Sequence, residues 1–391
     1  MAWRGPAVPL LLGGIAVTIV VVLLLLLFRG RPLDNEAVSF ARVGFAELDG
    51  WRADDQALAF QALLRSCGKA PGKGGAEAAG GCAEAHALAS SGEVGRDAAR
   101  TFFEANYTPY RVVGTKKPGL VTGYYEPEVD GARERSSGFQ VPVYGHPGDL
   151  VALTPDELRA RFNDRLTAMR KTSDGLVPYY TREEIDGGAL AGRGLEILYL
   201  ADPVELFFMQ VQGSGRVRLA DGTKLRLGYA GKNGHPYTSI GKLLIERGDG
   251  KVGATSMQMI KDWLRADAVR GQKLMWENRS YVFFKERAGE KAEFGPIGAE
   301  GVALTPGRSL AVDASYHALG LPIFVEAGEI KGLDGSPFRR LMIAQDVGSA
   351  IRGPERGDIF WGSGDEAGAI AGGTLAPARF IVLRPNPAPG T

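Results

Sequence analysis

The sequence has little of the material from which metal centres and nucleic-acid surfaces are built. Only two cysteines and four scattered histidines occur in 391 residues, so a Cys/His metal site is not expected. Lysine and arginine (46) nearly balance aspartate and glutamate (45) without a basic stripe, which argues against a nucleic-acid partner. The motifs GxxxxGK[ST], HExxH and GxSxG are also absent, which excludes the site types that they mark.

Glycine and proline are abundant instead. The chain has 55 Gly and 22 Pro, and 45% of its residues are hydrophobic. Such a composition is too apolar for a disordered chain and favours many turns and short strands over a helical bundle. The sequence therefore predicts a mainly β protein with a few helices, long enough for two or three packed units.

The start of the chain indicates a membrane. Residues 7–28 are 22 apolar or small residues without a charge, flanked by arginines. As a helix they would be about 33 Å long, enough for a bilayer core of about 30 Å. No small-residue cleavage site and no lipid-accepting cysteine follow, so we interpret residues 1–31 as an uncleaved anchor with an exported body.

The two cysteines bracket a glycine-rich stretch. Six of the fourteen residues between Cys67 and Cys82 are glycine, and such a loop gains order from a cross-link at its base. A disulfide closing a ring of this size contributes about 3 kcal/mol and implies an oxidising compartment. The alternative is two unrelated thiols, with Cys67 on the buried face of a helix.

Local patterns predict the elements. Apolar residues at helical spacing favour helices starting near Asp54 and over 97–106 and 256–266, and the pattern Ser363…Glu366 is a capping box that starts another helix. Apolar runs between turn residues predict strands. These strands are 120–125, 206–212, 216–219, 224–229, 309–312, 322–326, 341–345, 358–361 and 380–383.

Three aspartates stand at the ends of predicted apolar strands. Asp313 follows residues 310–312, Asp346 follows 341–344, and Asp358 begins a strand after a turn-like stretch. Each would be partly buried there. Strand-end aspartates often only cap turns, so the pattern by itself leaves both roles open.

Longer motifs connect these acids to a family. The sequence resembles the membrane-bound lytic murein transglycosylase A family through VTGYYEP at 121–127, DPVELFF at 202–208, QVQGSG at 210–215, GYAGKNGHPY at 228–237 and SIGK at 239–242. The aspartates match that family's 3D segment through SLAVD at 309–313, AQDVGSAIRG at 344–353 and GDIFWG at 357–362. Ser349 departs from the usual pattern, and this chain lacks the family's lipid-accepting cysteine.

The resemblance implies a double-psi β-barrel catalytic domain, formed by 35–125 together with 289–391. It also implies an inserted second β-barrel domain at 126–288, with a groove between the two. Tyr124, Gln212, Asn233 and His235 are the predicted groove residues that bind substrate. The Gly213-Ser214-Gly215 segment is interpreted as a turn between strands.

The activity that the resemblance implies is peptidoglycan cleavage without metal or cofactor. The bond between N-acetylmuramic acid and N-acetylglucosamine is broken while the muramyl C6 hydroxyl attacks C1, which leaves a 1,6-anhydromuramyl end. Asp358 matches the catalytic acid, and Asp346 and Asp313 match the aspartates that support it. The expected partners are glycan strands and the membrane, with cell-wall synthesis or division proteins as candidates; the expected location is the inner membrane with a periplasmic body.

Two other functions fit parts of the pattern. Double-psi barrels also occur in expansin-like modules that bind wall polysaccharide without cleaving it. An aspartic peptidase would pair Asp346 and Asp358 as a dyad that shares one proton.

Overall fold

The computed structural model describes residues 38–68, 80–115, 118–154, 157, 166–250, 256–288 and 294–387. The predicted anchor at 1–31 lies outside these residues. Within them, no helix combines the length and the apolar character needed to cross a membrane.

Most described elements are strands. In chain order they are β1 (Ser39–Arg42), β2 (Tyr107–Val113), β3 (Gly119–Glu126), β4 (Glu128–Ala132), β5 (Val141–Tyr144), β6 (Leu150–Ala152), β7 (Ala168–Thr172), β8 (Gly175–Pro178), β9 (Glu196–Leu200), β10 (Ser214–Arg218), β11 (Lys224–Lys232), β12 (Val282–Glu286), β13 (Ser309–Val312), β14 (Pro322–Lys331), β15 (Pro337–Val347), β16 (Arg356–Ser363) and β17 (Leu375–Pro385). The helices are α1 (Gln56–Cys67), α2 (Cys82–Ser90), α3 (Arg96–Asn106), α4 (Arg182–Glu184), α5 (Pro203–Gln212), α6 (Ile240–Arg247), α7 (Met257–Ala266), α8 (Ala268–Glu277) and α9 (Gly364–Gly373).

Six strands close into a barrel. Strand β17 pairs with β14 at one edge and with β3 at the other, which completes the ring β3-β16-β13-β15-β14-β17. The pairs β3/β16 and β13/β15 are parallel, whereas the remaining pairs are antiparallel. The predicted mainly β fold with a barrel is therefore confirmed, and the barrel has six strands.

The alternation of side chains along the barrel strands builds two cores. In β14, Ile323 and Val325 belong to one buried cluster, which also holds Trp361 and Phe380. Phe324 points the other way and packs with Trp51 and Phe60 of the N-terminal helical region. Successive strand residues face opposite sides of a sheet, so β14 contributes to both cores.

The N-terminal helices are fastened to the barrel by polar contacts as well. Asp54 is fully buried and forms an ion pair with Arg308 at 2.8 Å, while its other oxygen accepts a hydrogen bond from the Leu341 amide. A disulfide joins Cys67 to Cys82, at the end of α1 and the start of α2. The contacts of Asp54 hold the helical region against β15, and the disulfide joins α1 to α2.

A second six-stranded sheet is built from the chain between β3 and β13. Its order is β12-β11-β10-β4-β9-β5, and a bridge between Gly145 and Phe284 brings its two edges together. Its buried residues form a core of their own around Leu198, Val217 and Leu227. A small sheet of β6, β7 and β8 lies beside it.

The prediction of a strand at 206–212 is wrong. Those residues belong to helix α5, which begins after Asp202, whose carboxylate caps the Val204 amide, and has a proline in its first turn. Phe207 and Phe208 are buried. The run is apolar on most faces, so it carries neither a clear helical nor a clear strand period, and the N-terminal cap decides the outcome.

Helix α5 ends at Gly213, which adopts a left-handed backbone with a φ of 82°. The segment 213–215 was predicted to be a turn between strands. It is instead a helix C-terminus leading directly into β10, and glycine adopts this conformation without the steric cost of a side chain.

A buried ion cluster joins the barrel to the second sheet. Glu126, at the end of β3, is fully buried. Arg216 on β10 lies 2.7 Å from its carboxylate and Arg226 on β11 lies 2.9 Å from it. Ser363 donates a further hydrogen bond of 2.7 Å from the end of β16.

The predicted capping box at Ser363 does not form. Helix α9 begins where it was expected, but the Ser363 hydroxyl makes no capping hydrogen bond and donates to Glu126 instead. Donation to the buried Glu126 carboxylate is a charge-assisted hydrogen bond. It orients the Ser363 side chain toward Glu126, and its oxygen does not accept from the first amides of the helix.

Candidate active site

Asp358 lies in the middle of the barrel wall, on β16. It pairs with Ala311 on antiparallel β13 and with Thr122 on parallel β3. Strand alternation directs Ile359 and Trp361 into the large barrel core, whereas Phe360 packs with Tyr124 and Ala311 in a separate cluster. Asp358 therefore shares the face of Phe360 and is half-buried there.

A short hydrogen-bond chain holds the Asp358 carboxyl. The Thr122 hydroxyl donates to its Oδ1 at 2.6 Å and accepts from Arg356 Nη2 at 2.8 Å. Burial raises the pKa of Asp358 to about 6, with a contribution from the nearby charge of Asp346, while Thr122 and Arg356 act in the opposite direction. The result is a carboxyl that both gains and loses its proton near neutral pH.

Asp346, at the end of β15, is held by three donors. The Ala299 and Val347 amides both donate to Oδ1 at 2.9 Å, and the Tyr124 hydroxyl donates to Oδ2 at 2.9 Å. Burial nevertheless raises the pKa of Asp346 above its usual value. Burial and the charges of Asp346 and Asp358 raise the pKa of Tyr124, so this phenol stays protonated and keeps its role as donor.

Asp313 is engaged in the loops rather than with the other acids. Its Oδ1 accepts from the amide and the hydroxyl of Ser315, and its Oδ2 accepts from the Gly353 amide at 2.9 Å. Burial opposes ionisation, but these hydrogen bonds and the nearby Arg352 hold the pKa of Asp313 below its usual value. These contacts match the turn-capping role that strand-end aspartates commonly have.

A groove runs between the barrel and the second sheet. We call it the central groove; its volume is about 520 Å³. From the barrel side it is lined by Tyr124, Val312 and Asp346, and from the insert side by Gln212, Tyr229 and Tyr237. The predicted groove between the two β units is thus confirmed.

Asp358 lies beside this groove, next to residues that line it. Its register partner Thr122 is two positions from Tyr124, and its neighbour strand β13 ends at Val312. Burial and the nearby Asp358 charge raise the pKa of Tyr237, across the groove, although Ser239 opposes the shift. The carboxyl and the insert wall therefore face each other.

The four predicted groove residues have different positions. Tyr124 and Gln212 line the central groove. His235 lines a second cavity, and its ring is held by a 2.7 Å contact between Nε2 and the Tyr179 carbonyl. Burial lowers the pKa of His235, which keeps its ring neutral near pH 7.

Asn233 does not line either cavity. Its side chain is fully buried, donates to the Tyr180 and Arg279 carbonyls, and accepts from the Tyr281 amide. All of its polar atoms are occupied by backbone groups, so its interpretation as a groove residue is corrected to a structural role. The signal was ambiguous because an amide beside a glycine fits a turn as well as a ligand site.

Sequence reasoning missed several residues of the site. Thr122 lies within one family motif, and Arg356 directly precedes another. The hydrogen-bond chain from Arg356 through Thr122 to Asp358 depends on the parallel register of β3 and β16. Tyr229 and Tyr237 are 48% and 37% exposed in the groove wall. Both belong to the motif at 228–237, yet only the exposed fraction separates them from buried tyrosines.

Both β units match described domain types. Residues 120–285 match the MltA specific insert domain, and residues 308–384 match the 3D domain. These two matches cover the second sheet and most of the barrel strands.

Individual relatives agree with this. The chain is 36% identical over 258 residues to the membrane-bound lytic murein transglycosylase A of Vibrio cholerae, a match covering 65% of this chain and 62% of that protein. The crystal structure of a membrane-bound lytic murein transglycosylase from Agrobacterium tumefaciens is 38% identical, with a TM-score of 0.80 and coverage of 89% of this chain and 98% of that one.

A further solved structure is that of Escherichia coli MltA with bound chitohexaose. It is 28% identical, has a TM-score of 0.67, and the match covers 89% of this chain and 95% of that one. From the two domain matches and from structural similarity along almost the whole of solved relatives, the chain belongs to the membrane-bound lytic murein transglycosylase A family.

Proposed function

We propose that this protein is a peptidoglycan lytic transglycosylase in which Asp358 is the single acid and base. It cleaves the β-1,4 bond between N-acetylmuramic acid and N-acetylglucosamine and forms a 1,6-anhydromuramyl end. The observation that carries this proposal is a carboxyl with a pKa of about 6, held by Thr122 beside a groove lined from both β units. Relatives named lytic murein transglycosylases support the reaction class.

One carboxyl suffices because the nucleophile is part of the substrate. Most glycosidases need a second carboxylate as nucleophile or as the base for a water. Here the muramyl C6 hydroxyl attacks C1 of its own sugar, and a tethered group reacts at a high effective concentration. Asp358 protonates the bridging oxygen, and the resulting carboxylate accepts the proton of the C6 hydroxyl.

The environment of Asp358 suits both steps. General acid–base catalysis works best when the pKa of the group lies near the working pH. Burial supplies most of the upward shift, and the hydrogen bond from Thr122 limits it. The same hydroxyl bond fixes the direction in which the carboxyl presents its proton.

Negative potential for the oxocarbenium-like centre is available from two sources. Asp346 lines the groove, and the three hydrogen bonds it accepts stabilise its ionised form. Residues Gln210–Gly213 at the C-terminal end of α5 also line the groove, and the C-terminus of a helix carries partial negative charge.

The groove walls suit a neutral sugar chain. The exposed faces of Tyr229 and Tyr237 offer surfaces for stacking on pyranose rings. Gln212 presents an amide, whose oxygen accepts from the Tyr125 amide at 3.0 Å and leaves the NH₂ group to donate. The E. coli relative solved with chitohexaose supports a glycan as the ligand of this groove.

In this proposal residues 126–288 form the substrate-binding insert, and 35–125 together with 289–391 form the barrel domain. All strands of the second sheet fall between Glu128 and Glu286, which supports that division. We further propose a cell-envelope location, with an inner-membrane anchor at 1–31 and a periplasmic body. The Cys67–Cys82 disulfide supports an oxidising compartment.

The reaction is tested by its products. The purified full-length protein is incubated with sacculi, and the soluble muropeptides are identified by mass spectrometry. We expect anhydromuramyl ends, which are one water lighter than the reducing ends left by hydrolysis. Reducing ends would overturn the lyase assignment, and an absence of any released product would favour the expansin-like binding module. Cleavage of protein at low pH would indicate the peptidase.

Thr122→Val is expected to change the pH profile. Wild-type activity should fall as the pH rises through about 6, because the protonated acid is then lost. The Thr122 hydroxyl lowers the pKa of Asp358, so its removal moves this alkaline limb to higher pH. The loss of orientation should also lower kcat about tenfold on the acidic plateau, with little change in KM, because Thr122 lies outside the groove lining.

Thr108→Val is the matched control for this profile, since Thr108 also sits on a strand and its hydroxyl donates to the Asn386 side chain, away from the groove. It should leave the pH dependence of kcat unchanged. An alkaline limb that stays in place in Thr122→Val would show that the hydroxyl does not act through Asp358.

A further inference from the structure

A second cavity, of about 550 Å³, opens from the central groove. We call it the side cavity. Lys232, Tyr237, Ser349 and Arg352 line both spaces, so these residues mark the junction between them. A chain that runs along the central groove can place a branch in the side cavity at this point.

The junction and the side cavity are rich in positive charge. Lys232, Lys242 and Arg352 line the side cavity, against the single carboxylate of Glu246. Glu246 lies 3.5 Å from the Lys242 ammonium on the same helix, so its charge is compensated locally. The other two cations stand at the junction itself.

Lys232 has no carboxylate within ion-pair distance of its ammonium among the residues that the structure describes, although its side chain is half-buried. Burial, followed by the charge of Arg352, lowers the pKa of Lys232. Placing an uncompensated cation beside another one costs free energy, and a bound anion would remove that cost.

Arg352 is only weakly compensated. Its nearest carboxylate is Asp313 at 3.7 Å, and 72% of the Arg352 side chain is exposed. The oxygens of Asp313 are already engaged by Ser315 and Gly353. The guanidinium therefore keeps free donors for a second carboxylate, the anion whose geometry it matches best.

We infer that Lys232 and Arg352 bind the carboxylates of the peptide stem of peptidoglycan, which enters the side cavity while the glycan occupies the central groove. This inference rests on the proposed function. The sugar backbone of the glycan is neutral, whereas the peptide attached through the lactyl group of muramic acid is acidic. A neutral chain with an acidic branch matches this arrangement, because the chain occupies the central groove and the branch passes the two cations at the junction into the side cavity.

The test uses three forms of the same glycan strands. The first carries intact stems, and the second carries stems whose carboxylates have been converted to amides. The third has been stripped of stems by an amidase, which leaves only the lactyl carboxylate on each muramic acid and nothing that reaches into the side cavity. We expect the wild-type protein to have a kcat/KM about tenfold higher on the first form than on the other two. Raising the ionic strength should reduce this preference, because exposed charges are screened.

Lys232→Met and Arg352→Gln are each expected to remove most of the preference, by lowering kcat/KM on intact strands several-fold. Lys171→Met is the matched control, since Lys171 is exposed and lines neither cavity. It should retain the wild-type ratio. Because the Arg352 side chain is mostly exposed, Arg352→Gln should fold normally. It therefore tests the inference even if Lys232→Met is unstable.

Binding is measured separately from cleavage, by titrating the three strand forms into Asp358→Asn and into the same variant carrying Lys232→Met. Equal affinity for all three forms, or an equal loss on all three, would overturn the inference. Stem-dependent binding by Asp358→Asn would support the inference in any case. If the wild-type protein released no anhydromuramyl ends, the proposed function would be contradicted instead.

Discussion

Asp358→Asn is expected to lower the rate of anhydromuropeptide release about 10⁴-fold, the upper end of the range for loss of a general acid–base group. The large effect follows from the double role of this carboxyl, because the variant loses both the acid that protonates the bridging oxygen and the base that deprotonates the C6 hydroxyl. In energy the loss corresponds to about 5.5 kcal/mol of transition-state stabilisation.

The variant should fold and still bind glycan. Asparagine has nearly the shape of aspartate, and its amide oxygen can accept the hydrogen bond from Thr122. Burial disfavours the charged form of Asp358, so a neutral side chain at this position does not destabilise the barrel. Strand binding by titration and thermal melting should therefore both resemble those of the wild type.

Asp174→Asn is the control for this substitution, since Asp174 is an exposed turn residue between β7 and β8. It should release products at the wild-type rate. If Asp358→Asn released anhydromuropeptides at a similar rate, a different residue would have to supply the proton, and Asp346 would be the next candidate.

Glu126→Gln is expected to lower the free energy of unfolding by about 3–5 kcal/mol, the range for breaking a buried ion pair from one side. The carboxylate is fully buried and serves two guanidinium groups and a hydroxyl. A neutral amide would remove the negative charge that Arg216 and Arg226 share. Folded domains have a free energy of unfolding of about 5–15 kcal/mol, so the expected loss is a large share of it.

The matched control is Glu128→Gln, two residues further along the chain. Glu128 pairs with Arg218 at 3.4 Å and Lys224 at 2.8 Å, but both cations are half-exposed, so the loss should be below about 1 kcal/mol. Urea denaturation followed by circular dichroism measures both variants. Equal losses in the free energy of unfolding would show that the buried cluster around Glu126 stabilises the protein no more than an exposed ion pair does.

Much of the fold could be predicted because its signals are local. Apolar runs between turn residues predict the barrel strands at 309–312 and 341–345, and an acidic cap precedes helix α1. Helix α5 is the exception, since its apolar run lacks a distinct period and only the Asp202 cap and the first-turn proline mark it as a helix. Asn233 was misjudged for a related reason, because a sequence pattern does not state which polar atoms the backbone already satisfies.

The sequence by itself determined the family and singled out the three aspartates and the two cysteines, because residue types at fixed spacings carry these signals. Only the tertiary structure showed that the cysteines pair and gave each acid its own environment. Both oxygens of Asp313 accept hydrogen bonds from neighbouring loops, and Asp346 accepts from three donors. Asp358 lies between β3 and β13 and accepts from a single hydroxyl. Burial and neighbouring charge set the pKa of a carboxyl, and both depend on residues more than two hundred positions away in the chain.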